Sequence, residues 1–161
     1  MDLNKKNNNS AFVMHDKNHK KGKYESIATR DTTNFPKECN YGTPMGKFTG
    51  TFAVEVEYDR DQLQYGDLSE KILQQKYGAF PPTIIIKADG ISRAYLFKYP
   101  RNLTITSAAH KLGFDINICA DDGFILCPPS VIGNSVFEYE DNGAELAFPP
   151  MWLIDLITVK G

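Results

Sequence analysis

Long apolar runs are missing from this sequence of 161 residues. No stretch is long enough to span a bilayer, and the N-terminus lacks the apolar segment of a signal peptide. Cysteine is also scarce, since the chain contains only Cys39, Cys119 and Cys127, without any CxxC spacing. An odd number of cysteines argues against a disulfide framework, and buried, reduced thiols are favoured over a zinc site completed by His110. We therefore expect an intracellular protein without a membrane-spanning segment.

The chain also lacks a large net charge, since the formal net charge is only −2. The distribution is uneven: residues 1–23 carry six lysines against two aspartates, a charge of +4 that leaves −6 on the rest. These lysines are Lys5, Lys6, Lys17, Lys20, Lys21 and Lys23. A basic arm suits sequence-independent contacts with phosphates, and a solvated tail is the competing interpretation. We predict a flexible arm at residues 1–10 and one folded domain at residues 11–158.

One alternating stretch, residues 51–59, dominates what is present. Its apolar residues fall on one face of an extended chain and its acidic residues on the other, because successive strand side chains point to opposite faces. The apolar face contains Phe52, Val54, Val56 and Tyr58, and the opposite face contains Ala53, Glu55, Glu57 and Asp59. Neighbouring like charges are unfavourable unless they are solvated or a cation lies between them. The stretch therefore predicts a strand with either a solvated acidic face or a divalent metal site.

The remaining pattern predicts an α+β fold with a largely antiparallel central sheet flanked by helices. Further strands are expected at residues 11–14, 83–86, 94–99, 114–118, 124–127 and 136–139, with a hairpin joining the second and third of these. Helices are expected at residues 67–77, 107–112 and 151–157, together with a short helix near residue 33. A loop is expected at residues 40–46. The first helix has an apolar stripe formed by Leu68, Ile72, Leu73 and Tyr77. Tyr95 and Tyr99 fit either half-buried core positions or base stacking.

Five motifs, taken in their order along the chain, resemble those of the N-terminal domain of bifunctional DNA primase/polymerases, in the archaeo-eukaryotic primase superfamily. The most specific is G-F-I-L-C-P-P-S at residues 123–130, which is similar to the family's G-G-Y-V-V-A-P-P-S with Asp122 in place of the first glycine. The others are G-K at 22–23, A-T-R-D-T-T at 28–33, N-Y-G-T-P-M-G at 40–46 and F-P-P-M-W-L at 148–153. The resemblance covers residues 11–158. It implies a primase-like fold and a role in DNA replication, in the setting of a mobile genetic element or a virus.

The catalytic positions depart from the family pattern. The family's metal-binding D-x-D is Glu55-Val-Glu57 here, and its third carboxylate position falls on Asn117, with Asp115 two residues earlier. The resemblance implies that Glu55, Glu57 and Asp115 hold Mg²⁺ or Mn²⁺. We expect Glu55 and Glu57 to project from one face of a central strand into an open groove, with Asp115 or Asn117 on the adjacent strand.

The nucleotide-binding positions also depart from the family pattern. The family's phosphate-contacting histidine falls on Ala94, or on Arg93 with a slip of one residue. The resemblance therefore implies that Arg93 or Lys98 faces the triphosphate, with Arg93 in a catalytic role, and that Ser130 contributes to nucleotide binding. An arginine can replace histidine as a charge but not as a proton carrier.

These substitutions decide what activity the sequence predicts. Nucleotidyl transfer needs two divalent ions held close together, and the extra methylene of glutamate displaces an ion by about 1 Å against a tolerance of roughly 0.5 Å. Altered catalytic positions therefore predict a weakened or lost active site. One expected function is primer or DNA synthesis from nucleoside triphosphates on a single-stranded DNA template. The alternatives are an inactive module that binds single-stranded DNA or a replication partner, such as a separate helicase, and an α+β domain whose acidic strand has no catalytic meaning.

Overall fold

The computed structural model describes residues 12–16, 25–27, 39–58 and 65–158, with the backbone alone for the first two segments and Cys39. In chain order the elements are β1 (Phe12–Asp16), β2 (Glu25–Ile27), β3 (Cys39–Pro44), β4 (Thr51–Glu57), α1 (Tyr65–Tyr77), β5 (Ile85–Ala88), β6 (Ser92–Lys98), β7 (Ala108–Gly113), β8 (Ile116–Cys119), β9 (Phe124–Cys127), β10 (Val131–Ile132), β11 (Ser135–Val136), β12 (Glu138–Tyr139) and α2 (Met151–Ile157). The arm predicted at 1–10 and the helix predicted near residue 33 lie outside the described residues.

A six-stranded sheet forms the centre of the fold, in the order β12-β5-β6-β4-β8-β7. A second sheet has the order β2-β1-β3-β9, and β10 pairs with β11. Every pairing between these strands is antiparallel. The predicted class, mixed α and β with largely antiparallel strands, is therefore confirmed. Among the described residues, no helix is long and apolar enough to cross a membrane.

The helices cover one face of the six-stranded sheet. Phe52, Val54 and Val56 of β4 are fully buried there, in one cluster with Leu73 of α1 and Leu153 of α2. This is the apolar face that the alternation in residues 51–59 predicts. Burial of large apolar side chains on this face provides the main hydrophobic stabilisation of the helix layer.

The four-stranded sheet contributes to the core on the other face. Ala53 of β4 and Leu96 of β6 lie in one cluster with Met45, Ile125 and Cys127. Because Ile125 and Cys127 belong to β9, this cluster joins the two sheets. The face of β4 that carries Glu55 and Glu57 is therefore turned toward the four-stranded sheet.

Helix α1 turns a different face inward from the one predicted. Leu68 and Ile72 are 54% and 55% exposed, whereas Glu70 is only 6% exposed. Glu70 accepts hydrogen bonds from Tyr95 of β6 and from Gln74, which satisfies its buried carboxylate. Gly66 permits the close approach, because a Cβ there would lie 2.1 Å from the backbone oxygen of Glu57. Leu73 is the residue of the predicted stripe that lies in the core cluster. The rest of the predicted stripe is wrong.

Two further predictions are wrong. The segment predicted as a helix at 107–112 forms β7, because His110 and Asp115 take positive φ values of 54° and 59° and fold the chain into a hairpin with β8. The segment predicted as a loop at 40–46 forms β3, which lies between β1 and β9. Backbone pairing on both edges outweighs the low strand propensity of glycine and proline there.

The predicted hairpin and the C-terminal helix are confirmed. Strands β5 and β6 pair antiparallel around Asp89-Gly90, and Gly90 takes a φ of +66° that a turn of this kind needs. Helix α2 begins at Met151 after Pro150 and ends at Ile157, as predicted. The strand predicted at 124–127 is β9, and the strand predicted at 136–139 is divided between β11 and β12.

Candidate active site

The two glutamates lie on one face of β4, near the middle of the six-stranded sheet. Glu55 is opposite Ala94 of β6 on one side and Asn117 of β8 on the other, and Glu57 is opposite Ser92. Because directly opposed residues share a face, Ser92 and Asn117 lie on the same side of the sheet as the glutamates. The predicted geometry, two carboxylates on one face with Asn117 on the adjacent strand, agrees with this register.

A cavity of about 790 Å³ opens onto this acidic face. Its polar lining includes Glu55, Glu57, Ser92 and Asp115. The rest of the lining is aromatic and aliphatic: Tyr58, Tyr65, Phe114, Phe124, Phe137, Ile91, Ile125, Leu126 and Ile132. Since residues of β4 and β9 both contribute, the cavity lies between the two large sheets. Its volume falls within the usual range for small-molecule and cofactor sites.

Glu55 is the unusual carboxylate of the site. Burial, together with the nearby negative charge of Glu57, raises its pKa to about 7, although hydrogen bonds with Ser92 and Cys119 favour the ionised form. The Cys119 thiol is 3.8 Å from Oε2 of Glu55, and burial beside this carboxylate raises the thiol pKa to about 12. Glu57 is exposed. A partly buried and an exposed carboxylate therefore stand side by side on one strand.

Asp115 enters the same cavity from the β7–β8 turn. Its backbone oxygen accepts a hydrogen bond from the backbone N–H of Glu57, at 2.9 Å, which ties the turn to the end of β4. Its carboxylate lies 3.9 Å from Nδ1 of His110. The structure thus brings Asp115 to the cavity of the two glutamates. In the part of the chain that the structure describes, however, no group of three or more His, Cys, Asp or Glu side chains is close enough to hold a metal ion.

The donor chemistry nevertheless fits a hard divalent cation. Two carboxylates on one strand face repel each other, and a cation with a preference for oxygen ligands relieves that repulsion. Mg²⁺ in nucleotide-processing sites is usually held by one or two carboxylates, with substrate phosphates and water as further ligands. Glu55 and Glu57 are the carboxylates that would hold such a cation, with Asp115 as a neighbour at the same cavity.

Comparison with known families identifies the chain. The family model described as bifunctional DNA primase/polymerase, N-terminal (Prim-Pol) matches residues 5–152. The chain belongs to the Prim-Pol family. No curated protein and no solved structure matches the chain significantly. Membership confirms the family resemblance and makes this a domain of the primase/polymerase type that acts in DNA replication. Prim-Pol domains are generally metal-dependent nucleotidyltransferases.

Arg93 lies on the opposite face of the Prim-Pol central sheet from the glutamates. It is paired with Val56, whose side chain lies in the core cluster under α1 and α2, the helix-side cluster. Its guanidinium hydrogen-bonds Tyr95 and lies close enough to Tyr58 and Glu70 to interact electrostatically with both. Its Nε is buried without a hydrogen-bond partner. The structure therefore does not bring Arg93 together with Glu55 and Glu57, and its predicted catalytic and nucleotide-binding role has no support from position.

Lys98 and Ser130 are also absent from the cavity lining. Lys98 is six residues along β6 from Ser92, a distance of about 20 Å in an extended strand, and its Nζ lies 4.4 Å from the ring centre of Phe148. Ser130 is fully buried, where its hydroxyl accepts from the backbone N–H of Tyr41 at 2.7 Å and donates to the backbone oxygen of Tyr41 at 2.9 Å. The family-like motif around Ser130 thus fastens β3 beside the chain that follows β9.

The two tyrosines of β6 and its end occupy core positions. Tyr95 and Tyr99 are buried, and both belong to the helix-side cluster. The hydroxyl of Tyr99 donates to Asp121 at 2.6 Å and accepts from the backbone N–H of Ile105 at 2.7 Å. Burial and the hydrogen bond with Glu70 raise the pKa of Tyr95, which keeps it a neutral donor. Core packing, and not base stacking, is the interpretation that agrees with these positions.

Sequence reasoning missed several residues of the cavity. Ser92 begins β6, and its place opposite Glu57 depends on the pairing of β6 with β4, which are separated by α1 and β5 in the chain. Local sequence does not reveal Phe114 or Tyr65 either, because Phe114 falls within a predicted strand and Tyr65 precedes the predicted helix. Their convergence depends on the β7–β8 turn and on the true start of α1, neither of which local sequence preference reveals.

Proposed function

We propose that this Prim-Pol domain carries out divalent-metal-dependent nucleotidyl transfer on a single-stranded DNA template, at a weakened active site. The observation that carries the proposal is the placement of Glu55 and Glu57 on one face of the central strand, beside Asp115, in a cavity large enough for a nucleotide. The family supplies the reaction type, and the cavity supplies a candidate place for it.

In this proposal Glu55 and Glu57 bind Mg²⁺ or Mn²⁺, and Asp115 completes the acidic wall. The bound metal would supply charge neutralisation at the triphosphate and activation of the attacking hydroxyl. Ser92 orients the carboxylate of Glu55 through their hydrogen bond. The backbone hydrogen bond from Glu57 to Asp115 holds the β7–β8 turn beside the end of β4, so Asp115 enters the cavity next to the two glutamates.

Two features support weakened activity. Glutamates stand at both positions of the family's D-x-D pair, which lengthens each ligand by one methylene. In addition, none of the described residues that line the cavity is a lysine or an arginine, so neither Arg93 nor Lys98 faces a triphosphate bound there. A phosphate-facing cation normally contributes strongly to stabilisation of the transition state. We therefore propose slow synthesis that favours Mn²⁺, whose coordination is more tolerant than the octahedron that Mg²⁺ demands.

The absence of lysine and arginine among the described lining residues also favours a second function, an inactive Prim-Pol module that binds single-stranded DNA or a replication partner. In that case the cavity accepts part of a DNA strand without turnover. We further propose that the domain spans residues 11–158 and that its partner is a separate replicative helicase. We also propose that it acts in a mobile genetic element or a virus.

A template-directed primer extension assay with Mg²⁺ and with Mn²⁺ tests the first proposal. We expect slow extension by the wild-type chain, faster with Mn²⁺, and a loss of at least about 100-fold in Glu57→Ala, since even indirect supports of metal ligands are worth roughly 10- to 100-fold. Asp155→Ala is the matched control, because Asp155 is an exposed acid of α2 in the helix layer.

The outcomes separate the two functions. Extension that survives Glu57→Ala would show that the carboxylate assignment is wrong. Wild-type DNA binding without extension in either metal would favour the inactive module. Robust Mg²⁺-dependent synthesis would show that the altered positions do not weaken the site.

A further inference from the structure

An exposed aromatic group stands at the mouth of the cavity. Phe114 is 67% exposed and Tyr65 is 43% exposed, and both line the cavity that contains Glu57 and Asp115. Their rings are 5.9 Å apart in an edge-to-face arrangement, and the ring of His110 lies 5.4 Å from Phe114. Large apolar side chains that stay exposed beside a cavity with a few convergent polar groups are typical of ligand contacts.

The turn that presents Phe114 is held from several directions. The backbone N–H of Asp115 donates to Nδ1 of His110, and the backbone N–H of His110 donates to Oδ1 of Asn117, both at 3.0 Å. His110 and Asp115 both adopt positive φ, which is uncommon for residues other than glycine. Together with the bond from Glu57 to Asp115, these contacts hold the backbone that carries Phe114 beside the carboxylate strand. An exposed phenylalanine on a rigid turn contributes little to the free energy of folding, and its ring is accessible to a ligand.

The two kinds of lining residue suit two parts of a nucleotide. The carboxylates disfavour a bare anion, so phosphates can approach them only together with a cation. The exposed aromatic rings carry no such restriction, because a nucleobase is neutral and its face stacks on an aromatic ring. Because Phe114 directly precedes Asp115 in the chain, a base on this ring would lie beside the acidic part of the cavity.

We propose that Phe114, supported by Tyr65 and His110, stacks on a nucleobase at the mouth of the cavity. The base belongs either to the incoming nucleotide or to the single-stranded template, since both present the same aromatic face. This inference rests on the proposed function of the cavity, and it adds to that function a specific base-contacting residue. Phe114 is a binding residue in this account and takes no part in the chemistry.

Binding measurements with and without a base test the stacking directly. The probes are a labelled oligothymidylate, an abasic oligonucleotide of equal length, a deoxynucleoside triphosphate with Mn²⁺, and inorganic tripolyphosphate with Mn²⁺. The variants are Phe114→Ala, Phe114→Tyr as the aromatic rescue, and Phe48→Ala as the control. Phe48 is a matched control because it is 80% exposed and does not line the cavity.

We expect Phe114→Ala to weaken binding of one base-bearing probe by roughly 5- to 150-fold, the range that stacking of one base spans, with no effect on its base-free counterpart. Phe114→Tyr should restore the affinity, and Phe48→Ala should leave it unchanged. Loss with the oligothymidylate assigns the base to the template, and loss with the triphosphate assigns it to the incoming nucleotide.

Two results would overturn the inference. If Phe114→Ala binds every probe as the wild type does, or loses base-bearing and base-free probes equally, no base stacks on this ring while the proposed function stands. If the wild-type chain binds none of the four probes, the proposed function falls together with the stacking.

Discussion

The two faces of β4 have opposite chemical character. One face carries Phe52, Val54 and Val56, which are fully buried under the helix layer. The other carries Glu55 and Glu57 at a cavity between the sheets. The first face lowers the free energy of folding, whereas the second places a partly buried carboxylate beside another of the same charge.

Stability and the candidate site therefore lie on opposite faces of a single strand. The pKa of Glu55 is raised because the folded protein disfavours its charge, so the acidic face opposes folding at neutral pH. Perturbed carboxylates of this kind are concentrated at functional sites. The apolar face holds the strand in place, and the acidic face is the part that a ligand can use.

The largest effect should come from truncation on the core face. Phe52→Ala removes a fully buried ring that packs on Phe97 and Tyr99, and should lower the free energy of unfolding by about 3–5 kcal/mol. Glu57→Ala, on the other face of the same strand, should change it by no more than roughly 0.5 kcal/mol because Glu57 is exposed. Urea unfolding of both variants measures the contrast. Equal destabilisation would show that the two faces do not differ as described.

The next effect depends on pH. The carboxyl of Glu55 has a pKa of 4.5 in the unfolded reference and about 7 in the fold, so the folded state prefers the protonated form. Stability from this group is therefore full below pH 4.5 and falls as the pH rises through 7, by about 3 kcal/mol in all. Glu55→Gln should remove that fall, and should be more stable than the wild type above pH 7 but similar to it below pH 4.5.

Unfolding curves of Glu55→Gln at several pH values provide the measurement, with Glu138→Gln as the control. Glu138 is an exposed acid of β12 that pairs with Lys87 at the surface, at 3.5 Å. A parallel pH dependence in the wild type and Glu55→Gln would mean that Glu55 is not the buried acid of this site.

A smaller effect should distinguish the two faces at Arg93. Arg93→Met removes a cation that hydrogen-bonds Tyr95 near the buried Glu70, and should lower stability by about 1–3 kcal/mol. Because Arg93 faces the helix layer, extension activity per folded molecule should change little. A large loss of nucleotide affinity with unchanged stability would instead support its predicted nucleotide-binding role.

The smallest effect concerns the basic N-terminal segment. Deletion of residues 1–20 would also remove β1, which pairs with β3, so neutralisation of the lysines is the cleaner test. Exchange of Lys5, Lys6, Lys17, Lys20, Lys21 and Lys23 for glutamine should reduce the slope of log affinity for single-stranded DNA against log salt by about 0.7 per lost phosphate contact. An unchanged slope would identify the segment as a solvated tail.

Much of the fold follows from the sequence where local pattern and tertiary packing agree. The alternating stretch, the Asp89-Gly90 hairpin and the helix after Pro150 each have strong local signals. The structure confirms the strand over Thr51–Glu57, with Asp59 outside the described residues, and confirms the hairpin and the helix. Local signals fail at β3 and β7, because strand pairing there outweighs propensity. They also fail for α1, where a buried glutamate with hydrogen-bond partners takes the inward position in place of Leu68 and Ile72.

The site was predictable only in part. The face shared by Glu55 and Glu57 follows from the period of a strand. Arg93 could not be placed from sequence, because a shift of one residue in the alignment moves a side chain to the opposite face of the sheet. Phe114 could not be placed either, since its position at the cavity depends on a turn fixed by His110, Asp115 and Asn117.

Binding of Mn²⁺, followed by electron paramagnetic resonance in a titration of the folded protein, tests the central claim most directly. The account predicts that the wild-type chain and Asp155→Ala bind Mn²⁺ alike, and that Glu57→Ala binds it at least about tenfold more weakly. Equal Mn²⁺ affinity in the wild type and Glu57→Ala would contradict the claim that the acidic face of β4 holds the metal.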